Sequence, residues 1–302
     1  MHKALKWTGI GLSSLVGIVV LAGASVYTYG GHLDNRALAA PSGEKPWTPV
    51  ASTPELVARG QHVAIALGKC VDCHGQDLGG AKFIDDPALG TISAPNLTTG
   101  KGGRLPAYDD VALERVLRHG IKVDGRPALI MPSEVFNNLS DQDLAALIAY
   151  LRSVPPVDRD PTPKNLKMLA RALITFGVVK HGYDQIDQTK AHVSDVAPSS
   201  PNYGKYLVDV GGCAGCHGPT LSGGKIPGAP PEFKPAANIT PTGIGHYKEA
   251  DFFRALREGM RPGNVPIDSQ MPWRYTKLMT DDEIKSVYAY LKTVPPKDYG
   301  NR

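Results

Sequence analysis

Two five-residue motifs constrain this chain more than any other feature: Cys-Val-Asp-Cys-His at residues 70–74 and Cys-Ala-Gly-Cys-His at residues 213–217. Each is a C-x-x-C-H, the attachment sequence of a c-type haem. In such a site the two thiols bond to the porphyrin as thioethers, and the histidine that follows binds the iron. The two motifs use all four cysteines of the chain. The sequence therefore predicts two covalently bound haem c groups, with attachment residues Cys70, Cys73, Cys213 and Cys216 and axial ligands His74 and His217.

Zinc binding and redox disulfides are the alternatives for a C-x-x-C sequence. Zinc ribbons place a second cysteine pair about 15–20 residues after the first, whereas Cys73 and Cys213 are 140 positions apart. A thioredoxin-like pair lies between a strand and a helix, a context that neither motif has. Covalent haem is therefore the favoured interpretation.

A Met-Pro dipeptide is a second repeated feature. Met131-Pro132 and Met271-Pro272 follow the motif histidines by 57 and 54 residues. Methionine sulfur opposite histidine raises the reduction potential of a haem, so Met131 and Met271 are predicted to be the second axial ligands. Other candidates have no equivalent in the other half of the chain, namely Met168, Met260, Met279, His119 and His246. The two histidines of that set are interpreted as surface or loop residues.

The chain repeats itself at an offset of about 140–143 residues, which indicates two duplicated domains. For example, DQDLAALIAYLRSVPP at 141–156 corresponds to DDEIKSVYAYLKTVPP at 281–296. Each half is predicted to contain three main helices, joined by loops rich in glycine and proline, with little strand pattern. A glycine on the first helix and a tyrosine on the last predict a close crossing of these helices in each domain, at Gly60 with Tyr150 and at Gly204 with Tyr290.

The N-terminal segment is uncharged from Trp7 to Gly31, which is long enough to cross a bilayer. Lys3 and Lys6 predict that its N-terminus faces the cytoplasm. An uncleaved anchor is favoured over a cleaved signal peptide, for which Ala22-Gly23-Ala24 would be an acceptable cleavage site. Both interpretations place the two domains outside the cytoplasmic membrane.

The predicted organisation has five segments. They are a membrane anchor or signal segment (1–31), a linker (32–51), a first domain (52–156), a linker with a helix that bridges the domains (157–200) and a second domain (201–302). The alternative for the linker helix is that it lies on the membrane or docks a partner.

The charge balance does not indicate a nucleic-acid partner. The formal net charge is +4, and the propionates of two haems would cancel most of it. No dense run of lysine and arginine is present, so nucleic-acid binding is not expected.

Each half resembles a class I cytochrome c domain in its order of features: helix, C-x-x-C-H, Asn-x-Thr loop, helix, Met-Pro loop and a final helix with Ala-Tyr-Leu. The chain resembles the membrane-bound cytochrome c subunits of periplasmic alcohol, gluconate and aldehyde dehydrogenases, notably at 238–245 and 251–259. Those subunits usually carry three haem motifs, whereas this chain has two. The resemblance implies an all-α fold, with two tandem class I cytochrome c domains after an N-terminal transmembrane helix.

The expected function is that of a dihaem electron carrier on the periplasmic side of the bacterial cytoplasmic membrane. Its donor is expected to be a dehydrogenase or a quinol-oxidising complex, and its acceptor a soluble cytochrome or a terminal oxidase. Six-coordinate irons offer no open position for a substrate, so the chain is not expected to be an enzyme. The alternatives are a dihaem redox enzyme of the peroxidase or thiosulfate-oxidising type and an anchoring subunit of a dehydrogenase.

Overall fold

The computed structural model describes residues 2–39, 47–198, 200–229 and 232–302. The chain begins with a long helix, α1 (His2–Asn35). Within the described ranges, one stretch is long and apolar enough to cross a membrane, the 23 residues Ser13–Asn35 of α1. The side chains of Lys3 and Lys6, which carry the predicted orientation, lie outside the described residues, as does part of the predicted 32–51 linker.

The first domain contains the predicted helices at the predicted places. Its elements are α2 (Pro54–His62), a π-helical turn (Val63–Leu67), α3 (Cys70–His74), β1 (Ala81–Asp86), β2 (Gly90–Ala94), a 3-10 turn (Leu105–Ala107), α4 (Asp110–His119), α5 (Ser133–Phe136) and α6 (Asp141–Ser153). Side-chain caps explain where the main helices begin, because Thr53 accepts from the amide of Leu56 and Ser140 accepts from that of Asp143.

The π-helical turn accommodates one additional residue in the first repeat. Gly60 precedes Cys70 by ten residues, whereas Gly204 precedes Cys213 by nine. A π-turn holds one residue more than the α-helical path that it replaces. The turn at Val63–Leu67 therefore keeps the two repeats superimposable at both the helix crossing and the cysteine motif.

A small sheet departs from the expected all-α fold. β1 pairs antiparallel with β2 from Ala81↔Ala94 to Asp86↔Gly90, and β2 pairs with β3 (Asn165–Leu166). The expectation of little strand structure was wrong for this hairpin, because isoleucine, threonine and phenylalanine around a Pro-containing turn favour it. The equivalent stretch of the second repeat is rich in proline and glycine.

The connector helix α7 (Met168–Thr175) lies elsewhere than the sequence suggested. Its buried side chains, Ala170 and Ile174, pack with Leu166, with Leu33 of α1 and with Ile92 of the hairpin. A 3-10 turn at Gly182–Gln185 follows. The helix is thus part of the surface between α1 and the first domain, instead of the predicted bridge between the two domains.

The second domain repeats the plan with a different short sheet. Its elements are α8 (Tyr203–Val210), α9 (Cys213–His217), α10 (Pro241–Ile244), α11 (Glu249–Glu258), β4 (Met260–Arg261), a 3-10 turn (Pro262–Asn264), β5 (Val265–Pro266), α12 (Trp273–Thr276) and α13 (Asp281–Thr293). β4 and β5 pair with each other antiparallel.

The predicted close crossings are present in both domains. A Cβ atom on Gly60 would overlap the carbonyl oxygen of Ala146 and crowd Cβ of Tyr150, and Gly204 is held in the same way against Tyr290. Only glycine therefore permits α2 to touch α6, or α8 to touch α13. One continuous apolar core includes side chains from both domains, so the two domains form a single packed unit.

Candidate functional site

The two cysteine motifs adopt the same local structure. In α3 and α9 a single helical turn contains both cysteines and the histidine. Each turn starts after a residue with positive φ, Lys69 at 53° or Gly212 at 65°, and is followed by a glycine with φ of 82°. Residues three apart in a helical turn lie on the same face. The two cysteines of each motif are thus directed to one side, as two thioether bonds to one porphyrin require.

The motif histidines are oriented as metal ligands. Nδ1 of His74 lies 2.8 Å from the carbonyl oxygen of Pro95, and Nδ1 of His217 lies 2.7 Å from that of Ala237. Because a carbonyl only accepts, Nδ1 carries the proton and Nε2 keeps the lone pair that can bind iron. Burial lowers the pKa of both rings, although their hydrogen bonds to the carbonyls oppose this. Both rings are therefore held in the neutral form that binds a metal.

The cysteines do not fit the zinc and redox alternatives. Burial raises the pKa of Cys70 to about 12 and that of Cys73 to about 11. Thiol–disulfide exchange depends on a thiolate, which these environments disfavour. Among the described residues there is also no group of three or more His, Cys, Asp or Glu side chains suited to a metal ion. Two thiols on one helical face beside a correctly oriented histidine fit covalent haem instead.

The two Met-Pro loops also have matching structures. Met131 and Met271 are half-buried against the core, and each precedes a short helix, α5 or α12. In both loops the methionine carbonyl accepts from the amide two residues later, at 2.8 Å for Ser133 and 2.7 Å for Trp273. This shared geometry fits a shared role, and coordination of iron by the two sulfur atoms stays a prediction.

The other repeated or single candidates have structural roles. The Asn96 side chain donates to the carbonyl oxygen of Val157 at 2.7 Å, and that of Asn238 donates to the carbonyl oxygen of Lys297 at 2.7 Å. Each asparagine thus hydrogen-bonds its Asn-x-Thr loop to the segment that follows the last helix of its domain. His119 is not a surface residue as expected, because it is buried and lies 2.8 Å from the side-chain oxygen of Gln188.

Each cysteine motif lies beside the short helix, α12 or α5, that follows the Met-Pro loop of the other domain. Asp72, between the first two cysteines, accepts hydrogen bonds from Arg274 at 2.6 Å and from the hydroxyl of Tyr275 at 2.9 Å. Both donors lie on α12, directly after Met271. In the reciprocal position, Val135 of α5 lies against Gly212, the residue before the second motif. The interface between the domains is thus built from the elements that carry the predicted haem ligands.

Lys69 lies between the two attachment motifs, and no sequence pattern predicted this position. Its ammonium group donates to the carbonyl oxygen of Leu67 at 2.8 Å and, across the interface, to that of Gly211 at 2.7 Å. Burial lowers its pKa. The two hydrogen bonds to carbonyl oxygens hold the ammonium group close to both predicted haems.

A second polar cluster joins the domains through the first turns of α6 and α13. Asp143 accepts from Arg59 at 2.7 Å and from the hydroxyl of Tyr206, in the other domain, at 2.6 Å. Glu283 accepts from Arg59 at 3.1 Å and lies 2.8 Å from Nε2 of His62, both in the other domain. Burial by itself would raise the pKa of Glu283, but His62 and Arg59 hold it at about 2.

Comparison with known proteins agrees with this geometry. The cytochrome c family model matches the chain twice, at residues 57–155 and 202–295. The chain is 31% identical to the fructose dehydrogenase cytochrome subunit of Gluconobacter japonicus, over 83% of this chain and 55% of that subunit. It is 28% identical to the alcohol dehydrogenase (quinone) cytochrome c subunit of Gluconacetobacter polyoxogenes, over 82% of this chain and 59% of that subunit.

A shorter relative matches along nearly its whole length. The diheme cytochrome c-type protein of Cereibacter sphaeroides is 28% identical, over 82% of this chain and 91% of the relative. The chain thus spans less than two thirds of the length of the two dehydrogenase subunits. The two family matches and this relative agree with the two haem c groups that the motifs indicate.

Proposed function

Because this chain belongs to the cytochrome c family and carries two haem c motifs, we propose that it is a dihaem electron carrier in which electrons pass between the haems across the domain interface. The observation that carries this proposal is that the first motif and the residue just before the second motif each contact the short helix after the Met-Pro loop of the other domain. A short path between two redox groups is what an electron carrier requires of its structure.

The chain contributes ligands, orientation and a dry environment. Haem c, when bound, supplies one-electron chemistry at its iron. His74 and His217 would present Nε2 to the two irons, because a backbone carbonyl fixes the proton on each Nδ1. Met131 and Met271 would supply the second protein ligand of each iron, a sulfur atom. We therefore propose no catalysis by this chain itself.

The partners follow from the named relatives. Two of them are cytochrome subunits of fructose and alcohol dehydrogenases, so we propose a dehydrogenase as the donor, with a quinol-oxidising complex as the alternative. A soluble cytochrome or a terminal oxidase is the proposed acceptor. The apolar stretch Ser13–Asn35 would hold the chain in the bacterial cytoplasmic membrane, with both haem domains in the periplasm.

The test uses the haem-loaded full chain in detergent. We expect two haems per chain, a low-spin ferric resting spectrum, and complete oxidation of the reduced protein by a soluble class I cytochrome c used as the probe acceptor. A high-spin ferric signal together with turnover of hydrogen peroxide would contradict the carrier and favour the peroxidase alternative. Transfer of only half of the stored electrons would show that one haem lies outside the electron path.

A further inference from the structure

The segment from α7 to Val178 has an apolar surface that no described residue covers. Met168 and Leu169 at the start of α7 are 44% and 46% exposed, and Phe176 and Val178 just after it are 71% and 56% exposed. We call these four side chains the outer face. Since the opposite side of α7 is buried against α1 and the hairpin, the outer face is the exposed side of this segment.

The position of α7 along α1 is fixed by several contacts. The Arg171 guanidinium lies 4.1 Å from the centre of the Tyr27 ring, and the hydroxyl of Thr175 donates to the carbonyl oxygen of Val26 at 3.0 Å. Nearer the N-terminus of α1, the Met168 side chain reaches Gly23. These contacts define how much of α1 is left free of protein.

The part of α1 before Gly23 is too short to cross a bilayer by itself. Residues 7–22 are the uncharged residues of α1 before Gly23, which the Met168 side chain reaches, and they number 16. At 1.5 Å per residue they extend about 24 Å, whereas the hydrocarbon layer is about 30 Å thick. If α1 spans the membrane, the residues from Gly23 onward that touch α7 must therefore also lie within the membrane or at its surface.

The charges around the segment suit a lipid surface. Lys167 lies directly before α7 and Lys180 just after the outer face, and both are exposed. Lysines at the two ends of an apolar surface can reach the phosphate groups while the apolar side chains enter the acyl region. The outer face also continues the lipid-exposed surface of α1, where Val19 is 62% exposed. A bilayer is therefore the occupant that matches the surface.

We propose that residues 168–178 form an interfacial segment whose outer face is embedded in the periplasmic surface of the membrane. This inference rests on the proposed membrane anchoring by α1. Together α1 and α7 would hold the first domain at a fixed height and tilt above the bilayer.

The test places spin labels on the haem-loaded full chain in nanodiscs of phosphatidylethanolamine and phosphatidylglycerol. The haems occupy all four cysteines, so an introduced cysteine is the only free thiol. Labels are placed in separate variants, Leu169→Cys, Phe176→Cys, Val19→Cys and Val265→Cys. Val19 reports on α1, and Val265, 44% exposed in the second domain, is the matched aqueous control.

We expect the labels at 169, 176 and 19 to collide with oxygen more than with a water-soluble nickel chelate, and the label at 265 to show the reverse. A lipid-facing label at 19 with aqueous labels at 169 and 176 would overturn the inference and leave the anchor intact. Aqueous labels at 169, 176 and 19 together would overturn the proposed membrane anchor as well. Labels at 169 and 176 that are shielded from both reagents would indicate a protein occupant and also overturn the inference.

Discussion

Among single side chains, Lys69 makes the clearest difference between the two repeats. It has a left-handed backbone at the position where the second repeat has Gly212. That conformation costs a non-glycine residue roughly 1–2 kcal/mol. The two hydrogen bonds of the ammonium group, one to a carbonyl oxygen of its own domain and one to a carbonyl oxygen of the other domain, offset this cost.

Replacing Lys69 by glutamine is expected to lower the reduction potentials of both haems. A nearby positive charge disfavours the additional charge of ferric iron, so its removal stabilises the oxidised state at both sites. Potentiometric titration of the haem-loaded protein measures this shift. Lys69→Gly, which copies the second repeat and relieves the backbone, is expected to give the same downward shift.

The control for this prediction is Lys205→Gln. Lys205 lies on α8, is 54% exposed and pairs with Asp209 at 2.6 Å, so solvent screens its charge. The prediction fails if the Lys69 and Lys205 variants shift the potentials equally, or if only one haem responds to the loss of Lys69.

Substitution of either Met-Pro methionine is expected to affect one haem. Met131→Ala should lower the potential of the first haem, and Met271→Ala that of the second, because loss of the sulfur ligand removes its preference for ferrous iron. Potentiometry with optical detection separates the two haems. Met168→Ala, at an exposed methionine beside α1, serves as the control, and unchanged potentials in the first two variants would refute the ligand assignment.

At the level of helices, the glycines at the two crossings determine whether the first and last helices of each domain can pack in contact. Gly60→Ala is expected to destabilise the protein by about 1–3 kcal/mol, because the methyl group would displace α2 from the carbonyl oxygen of Ala146. Denaturant unfolding followed by circular dichroism measures the loss.

Gly215→Ala is the matched control for this substitution. The space around Gly215 in α9 is open, and the first repeat has Asp72 at the equivalent position. Its expected effect is neutral or slightly stabilising, because alanine favours a helix. Equal losses from the Gly60 and Gly215 variants would show that the crossing is not the cause.

Helices were predictable from the sequence where local signals determine them. Thr53, Asp109 and Gly120 mark helix ends through caps and backbone conformation, which depend on a few neighbouring residues. The position of α7 was not predictable in this way. An apolar helical stripe shows that a helix packs, whereas its partner, here α1, is determined by the tertiary fold.

For the molecule as a whole, one carboxylate between the domains, that of Glu283, makes stability depend on pH. The pKa of Glu283 falls from an ordinary 4.5 to about 2 on folding. A lowered pKa stabilises the folded state above about pH 4.5, and this contribution is lost as the pH falls toward 2. We therefore expect Glu283→Gln to cost on the order of 3 kcal/mol at pH 5 and little near pH 2.

Urea unfolding of both proteins between pH 5 and pH 2.5 measures that difference. Asp282→Asn changes the neighbouring residue, which is exposed on the same helix, and should leave the pH profile almost unchanged. A constant difference between wild type and the Glu283 variant across this range would contradict the role of the charge.

One part of the candidate site could be predicted from the sequence, and another part could not. Each C-x-x-C-H motif is local, so its cysteines and histidine could be recognised within five residues. The contacts of Lys69 with Gly211 and of Asp72 with Arg274 join positions 142 and 202 residues apart. No spacing rule relates such residues, because only the packing of one domain on the other brings them together.

Lys69, between the two attachment motifs, also explains why two different repeats joined in one polypeptide pair better than two identical ones. A dimer of two first repeats would bring two ammonium groups face to face, and a dimer of two second repeats would leave a carbonyl oxygen without its donor. Fusing the repeats lets one of them supply the cation and the other accept it. The difference at this position thus makes the two surfaces complementary and not self-matching, and because both lie in one polypeptide, their pairing does not depend on protein concentration.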